Sequence, residues 1–324
     1  MVAGLSLSMQ RISLSCWCTK STLGQLTWSR SRNKIEKIDT KCSKIFASLH
    51  SKTESVRVFV LSDLHTDYVE NMTWVKRMSS SSYQDDILLV AGDVAETYDK
   101  FFLTMSLLKN KFKHVFFVPG NHDLWCRREG EEFLDSLDKL NALLHACDEL
   151  GVESNPLIID DLGIIPLFSW YHESFDKEQD ITGVRIPSLE MVNISQELCP
   201  EKRMLFYPKL PKMIGSDFLE ARLRSIHGAE GNEAACHVFG HTHFGWDAIV
   251  DGIRYVQAPL AYPRERKRRM NGSEDWLPFC LYSDGRFTDR HQFYWSEYYS
   301  INSRNPDDLQ LAPWVAKFYK RRVS

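Results

Sequence analysis

Five short apolar runs, each stopping abruptly at Asp, Asn or His, constrain this chain more than any other feature: "VRVFVLSDLH", "DILLVAGD", "HVFFVPGNHD", "IIPLFSWYH" and "CHVFGHTH". A run of a few β-branched and aromatic residues bounded by Gly, Asp or Pro reads as a buried strand. Helical periodicity fills the gaps after the first three, in "DYVENMTWVKRM", "YDKFFLTMSLLKNKF" and "EEFLDSLDKLNALLHACDELG". Strands alternating with helices of this length argue for βαβ units and a parallel sheet. Gly151 stands after the last of these helices, where a C-cap glycine belongs.

Beyond that point "NPLIIDDLGIIPLFSW" reads as two short strands around an Asp-Leu-Gly turn, and "DFLEARLRSIH" as a helix. The segments "ACHVFG", "WDAIV", "IRYVQA", "FCLYSD" and "FTDRHQFYW" make the second half rich in strands, in part antiparallel. Residues 173–215 carry weak periodicity and several turn signals, as expected of a variable insertion. One domain over 54–298 results, followed by a tail at 299–324 whose "DDLQLAPWVAKFYKRR" has an amphipathic helical pattern.

The first residues are of another kind. Up to Glu36 the chain is rich in Ser, carries Arg11, Lys20, Arg30, Arg32 and Lys34, and has no acidic residue. An organellar transit peptide has this composition, as does a disordered basic tail. Residues 1–53 are therefore expected outside the fold, with the chloroplast as destination and the mitochondrion or cytoplasm as alternatives.

With 324 residues, 43% of them hydrophobic, the chain can bury a real core, which excludes disorder throughout. A formal charge of −3 gives no general argument for nucleic acid. No apolar stretch approaches the roughly 20 residues that cross a bilayer. Eight scattered cysteines without a paired C-x-x-C unit read as reduced thiols.

In open α/β sheets ligands bind beyond the carboxyl ends of the strands, which is where all five polar clusters fall. Asp63 and His65 are two apart, as are His241 and His243, so in locally extended chain each pair faces one point. Oxygen and imidazole donors without thiolate suit Mn, Fe or Zn. Seven such donors exceed the needs of one tetrahedral ion, and two ions roughly 3.5 to 4 Å apart would use them all.

The ordered set D-x-H, GD, GNHD, a lone His and GHTH resembles the calcineurin-like metallophosphoesterase superfamily, over residues 57 to 260. The resemblance implies a sandwich of two mixed β-sheets flanked by helices. It also implies one ion held by Asp63, His65, Asp93 and His243, and a second held by Asp93, Asn121, His172 and His241, with Asp93 bridging. A dinuclear centre of this kind hydrolyses phosphate mono- or diesters by attack of a metal-bound hydroxide. His122 is the expected general acid and Asp123 the carboxylate that orients it.

Two departures bear on subclass. Protein phosphatases of the superfamily read GD-x-x-DRG and GNHE where this chain has "GDVAETY" and "GNHD", and purple acid phosphatases place Tyr where Glu96 stands. Expected partners are phosphorylated small-molecule or macromolecular substrates, with nucleic acid not indicated. The basic run "PRERKRRM" offers Arg264 and Arg266 to a substrate phosphate. Rival readings are a non-catalytic scaffold on the same fold, which the full ligand set disfavours, and a nuclease of the same superfamily.

Overall fold

The computed structural model describes residues 4–9, 56–160, 162–168, 217–227, 235–267 and 273–302. His172, the insertion at 173–215, most of the segment 1–53, residues 268–270 of the basic run and the tail from 303 lie outside the described residues. Two sheets carry the fold. The first, in spatial order, joins β11 (Arg286–Phe287), β10 (Phe279–Ser283), β2 (Val58–Ser62), β3 (Ile87–Ala91) and β4 (His114–Val118). The second joins β5 (Leu157–Ile159), β6 (Leu162–Leu167), β1 (Gly4–Met9), β7 (Ala235–Phe239), β9 (Ile253–Gln257) and β8 (Trp246–Val250). Both are mixed: β2, β3 and β4 run parallel with β10 antiparallel to β2, and β7 runs parallel to β9 in an otherwise antiparallel sheet.

Alternation of side chains explains the layers. Val58, Val60, Ile87, Leu89, Phe116 and Val118 face the second sheet, where they meet Ile164, Val238 and Val256. Their neighbours Phe59, Leu61, Leu88, Val90, Val115 and Phe117 face the helices instead. A strand covered on both sides needs apolar residues at every position, which is why these runs show no polar alternation. The covering helices are α1 (Val69–Arg77), α2 (Tyr98–Lys109) and α3 (Ser136–Leu150), contributing Val75, Phe101, Met105, Leu108 and Leu143 to that layer. Asp135 starts α3 by accepting from the N–H groups of Leu137 and Asp138, and Gly151 ends it at φ 68°. Helices α4 (Asp217–His227), α5 (Pro263–Lys267) and α6 (Tyr294–Ile301) complete the described elements.

Two expectations differ from this architecture. Gly4–Met9 is a strand seated between β6 and β7, so the first 53 residues do not lie wholly outside the fold. Its sequence "GLSLSM" alternates apolar and small residues with period two, a signal that Ser-rich composition does not exclude. The segment "FTDRHQFYW" is mostly not a strand: pairing ends at Phe287, and Tyr294 already begins α6.

A candidate metal centre at the seam of the two sheets

The register of the parallel strands brings the polar ends together. Ser62 pairs with Ala91 and Ala91 with Val118, so the loops that leave β2, β3 and β4 emerge side by side. Pairing continues past the strand ends: the N–H of Asp63 donates to the carbonyl of Gly92, that of His65 to Asp93, and that of Thr66 to Val94. From the other sheet the turn after β7 comes in close. A Cβ at Gly240 would collide with the carbonyl oxygen of Ala91, and one at Gly120 with the backbone and carboxylate of Asp93. These glycines are needed for the space they leave.

Backbone conformation marks the same residues. Asp63, His65, Asp93, His241 and His243 all have positive φ, at 50°, 43°, 53°, 91° and 58°. Non-glycine residues in such conformations cost of order 1 kcal/mol or more each and persist where the surroundings over-determine them. Here the strained turns aim side chains at a common point.

Asp63, His65, Asp93 and His243 each place one ligand atom within 4.8 Å of all the others. The Nε2 atoms of His65 and His243 lie 2.9 Å apart, and His243 Nε2 is 3.7 Å from Asp63 Oδ1. Asp63, His65 and Asp93 are buried. Burial first, and the neighbouring Asp93 carboxylate in addition, push the Asp63 carboxyl up to about 6 against the pull of His243. Burial drives His65 well below the ordinary histidine value, with the nearby imidazoles adding to it. Two buried carboxylates and two converging imidazole nitrogens form a donor set that a divalent cation would satisfy, so the residues fit a metal ion.

Beside this group, His241 Nδ1 lies 2.7 Å from Asn121 Oδ1, and the His241 N–H donates to Asp63 Oδ1 at 2.6 Å. Asn121 and His241 are thus neighbours at one edge of the four-residue cluster. His172, the remaining expected ligand, is outside the described residues.

His122 and Asp123 part company. Asp123 is fully buried and accepts from the N–H groups of Asp93, Val94, Ala95 and Gly120 at 2.8 to 3.1 Å, knitting the loop after β3 to the loop after β4. It therefore does not orient His122, which corrects that expectation: in a tight turn adjacent side chains diverge, and Asp123 turns inward while His122 turns out. The group at His122 Nδ1 is Glu96 Oε1, 3.2 Å away, and at Nε2 the hydroxyl of Tyr262, 3.3 Å away. Glu96 is also held by Arg127 at 2.5 Å and by Arg128 at 3.5 Å. Burial would raise its pKa, but His122 and Arg127 outweigh that and bring it to about 2. The loop bearing His122 is fixed from below by Lys139, wholly buried, whose Nζ donates to the carbonyls of Glu96 and Trp125 and meets Glu129 at 2.7 Å.

The two arginines offered to substrate differ. Arg264 is exposed, with its guanidinium 5.4 Å from the ring centre of Tyr262. Arg266 is already engaged by Asn71, by the carbonyls of Leu260 and Ala261 and by Glu274, so it braces α5 against α1 and is not available to a phosphate. Glu96, Tyr262 and Glu265 also contact the site, and no sequence motif assigns them a role there. Tyr262 packs 4.4 Å from the His65 ring and 4.6 Å from that of His243. It sits there because "APLA" runs beside the end of β2, with the N–H groups of Leu260 and Ala261 donating to the carbonyls of Ser62 and Asp63. No local motif announces such a long-range pairing.

The sequence model of the calcineurin-like phosphoesterases matches residues 56–245, more than half of the chain and all of the described metal-ligand cluster. The chain is a calcineurin-like phosphoesterase. A curated relative, the [acyl-carrier-protein] phosphodiesterase PptH of Mycobacterium tuberculosis, is 27% identical over 287 residues, taking in 72% of this chain and 86% of that protein. The crystal structure of the phosphopantetheinyl hydrolase PptH of the same organism superposes with a TM-score of 0.51 at 22% identity, over 72% of this chain and all of that one. That likeness shows a shared fold, two mixed sheets with flanking helices. As a member of the family, this phosphoesterase is a metal-dependent hydrolase of phosphate esters. None of its described helices is long and apolar enough to cross a membrane.

Proposed function

We propose that the chain is a phosphodiesterase that uses two metal ions, and that its substrate is the phosphopantetheinyl diester of an acyl carrier protein. The observation that carries the reaction is the convergence of Asp63, His65, Asp93 and His243 on one point. Asn121 and His241, in contact at its edge, would hold a second ion together with Asp93 and His172. The substrate class is supported by the likeness to the mycobacterial phosphodiesterase over most of that protein's length. When bound, divalent ions supply Lewis acidity toward a phosphoryl oxygen and lower the pKa of water.

The chain's own residues supply the rest. His122 is the proton donor to the leaving oxygen: Glu96, ionised across physiological pH, holds the ring by Nδ1, and this turns Nε2 toward the site. Asp123 acts one step removed, by fixing the turn from which His122 projects. Tyr262, whose hydroxyl faces His122 Nε2, is placed to donate to a phosphoryl oxygen, since burial and the Asp93 carboxylate raise its pKa and keep it protonated. Arg127 and Arg128, more than half exposed on the same loop, present positive charge to an anionic substrate.

Incubation with holo-acyl carrier protein and Mn, followed by mass spectrometry, tests this reading. Release of phosphopantetheine with recovery of the unmodified carrier is the expected result. Cleavage of a generic phosphodiester without any change in the carrier would refute the substrate and leave the reaction class standing.

A further inference from the structure

We infer that Glu265 is a positioning residue for the metal centre, acting through His243. The inference rests on the reading of His243 as a ligand. His243 Nδ1 lies 2.8 Å from Glu265 Oε2, and the two side chains are largely buried, 12% and 23% exposed. A carboxylate can only accept from this nitrogen, so Nδ1 carries the proton and Nε2 presents its lone pair. Nε2 is the atom that faces His65 and Asp63. One hydrogen bond thus selects the ligand tautomer and sets the plane of the ring.

The turn brings the His243 side chain to the cluster, and the hydrogen bond fixes which ring nitrogen faces it. His243 sits at φ 58° in that turn, beyond the end of β7. Glu265 is itself fixed twice. Its Oε2 accepts from the N–H of Tyr262 at 3.1 Å at the start of α5, and the next residue, Arg266, ties α5 to Asn71 on α1. Asn71 in turn donates to the carbonyls of Leu64 and Ala261, the first of which lies between the ligands Asp63 and His65. The run "PRERKRRM", which as a sequence offers its arginines to substrate, contains a carboxylate that braces a ligand.

Binding of Mn and of Zn to metal-stripped wild-type protein, Glu265→Ala and Glu265→Gln, measured by titration calorimetry with the thermal midpoint of each metal-free protein alongside, tests the inference. Loss of an outer partner to a ligating histidine weakens metal binding roughly 10- to 100-fold. The expected result is a loss of that size in Glu265→Ala, with a smaller loss in Glu265→Gln, which retains an acceptor oxygen but no charge, while the metal-free midpoint of Glu265→Gln stays at the wild-type value. Affinity within twofold of wild type in Glu265→Ala would overturn the inference while leaving the metal site in place. So would a loss in both variants that merely follows a lowered metal-free midpoint. A wild-type protein that binds neither metal would overturn the metal-site reading and this inference with it.

Discussion

At the scale of single residues, neighbours in sequence divide between chemistry and construction. Asn121, His122 and Asp123 are adjacent, yet one touches His241, one projects toward Tyr262 and Glu96, and one is buried under four backbone N–H groups. Substitutions should separate them. His122→Ala is expected to keep its metals and its thermal midpoint while kcat falls about 100-fold or more, the usual worth of a general acid. Glu96→Gln should lower kcat less, because it weakens the hold on the ring without removing it. Asp123→Ala behaves differently, since it strands four buried N–H donors at about 1 kcal/mol each. Chemical denaturation should show a stability loss of about 3 kcal/mol or more, with metal binding impaired as a consequence. The residue types at these positions are legible in the sequence; the direction in which each turns is not, because it depends on which loop lies across from it. Glu96 is 26 residues from His122 along the chain, and nothing in "GDVAETY" marks it as the partner.

Elements explain why the site can exist. Three parallel strands in register, Ser62 beside Ala91 beside Val118, deliver their loops to one edge, and the turn after β7 meets them from the second sheet. The apolar runs and the helices between them are readable because each is buried on a definite face, on both sides for β2, β3 and β4. Short elements escape such reading. "FTDRHQFYW" has strand composition but ends its pairing at Phe287, and the strand Gly4–Met9 lies in a stretch whose charge pattern points elsewhere. The close approach of loops makes a further prediction. Gly120→Ala puts a methyl group against the backbone and carboxylate of Asp93, which cannot retreat without breaking the contacts around it. A stability loss of about 1 to 3 kcal/mol is expected from such overpacking, together with a reduced metal content by elemental analysis.

For the molecule as a whole, the metal centre is linked to stability. Asp63 is pushed up to about 6 by burial and Asp93, and Asp123 to about 7 by burial and the same neighbour. A carboxyl with a higher pKa in the folded than in the unfolded chain holds its proton longer in the fold, so folding stability falls as pH rises through that interval. Metal-free protein should therefore lose stability between about pH 4 and 7, and bound cation should restore it by offsetting the carboxylate charge. Thermal melts with and without chelator should show a gap that is small at pH 5 and wide at pH 7.5. The order of the five motifs along the chain makes family and reaction class legible before any fold is seen, because the polar residues that end each strand carry the family's pattern. Substrate choice is not written there, since metal-ligand motifs address the phosphoryl group that all phosphate esters share. The central claim is that Asp63, His65, Asp93 and His243 hold a metal on which phosphodiester hydrolysis depends. Turnover of a generic chromogenic phosphodiester by stripped, Mn-reloaded and Asp93→Asn protein tests it most directly: activity should vanish on stripping, return on reloading and stay absent in the variant, whereas equal turnover in all three would contradict the account.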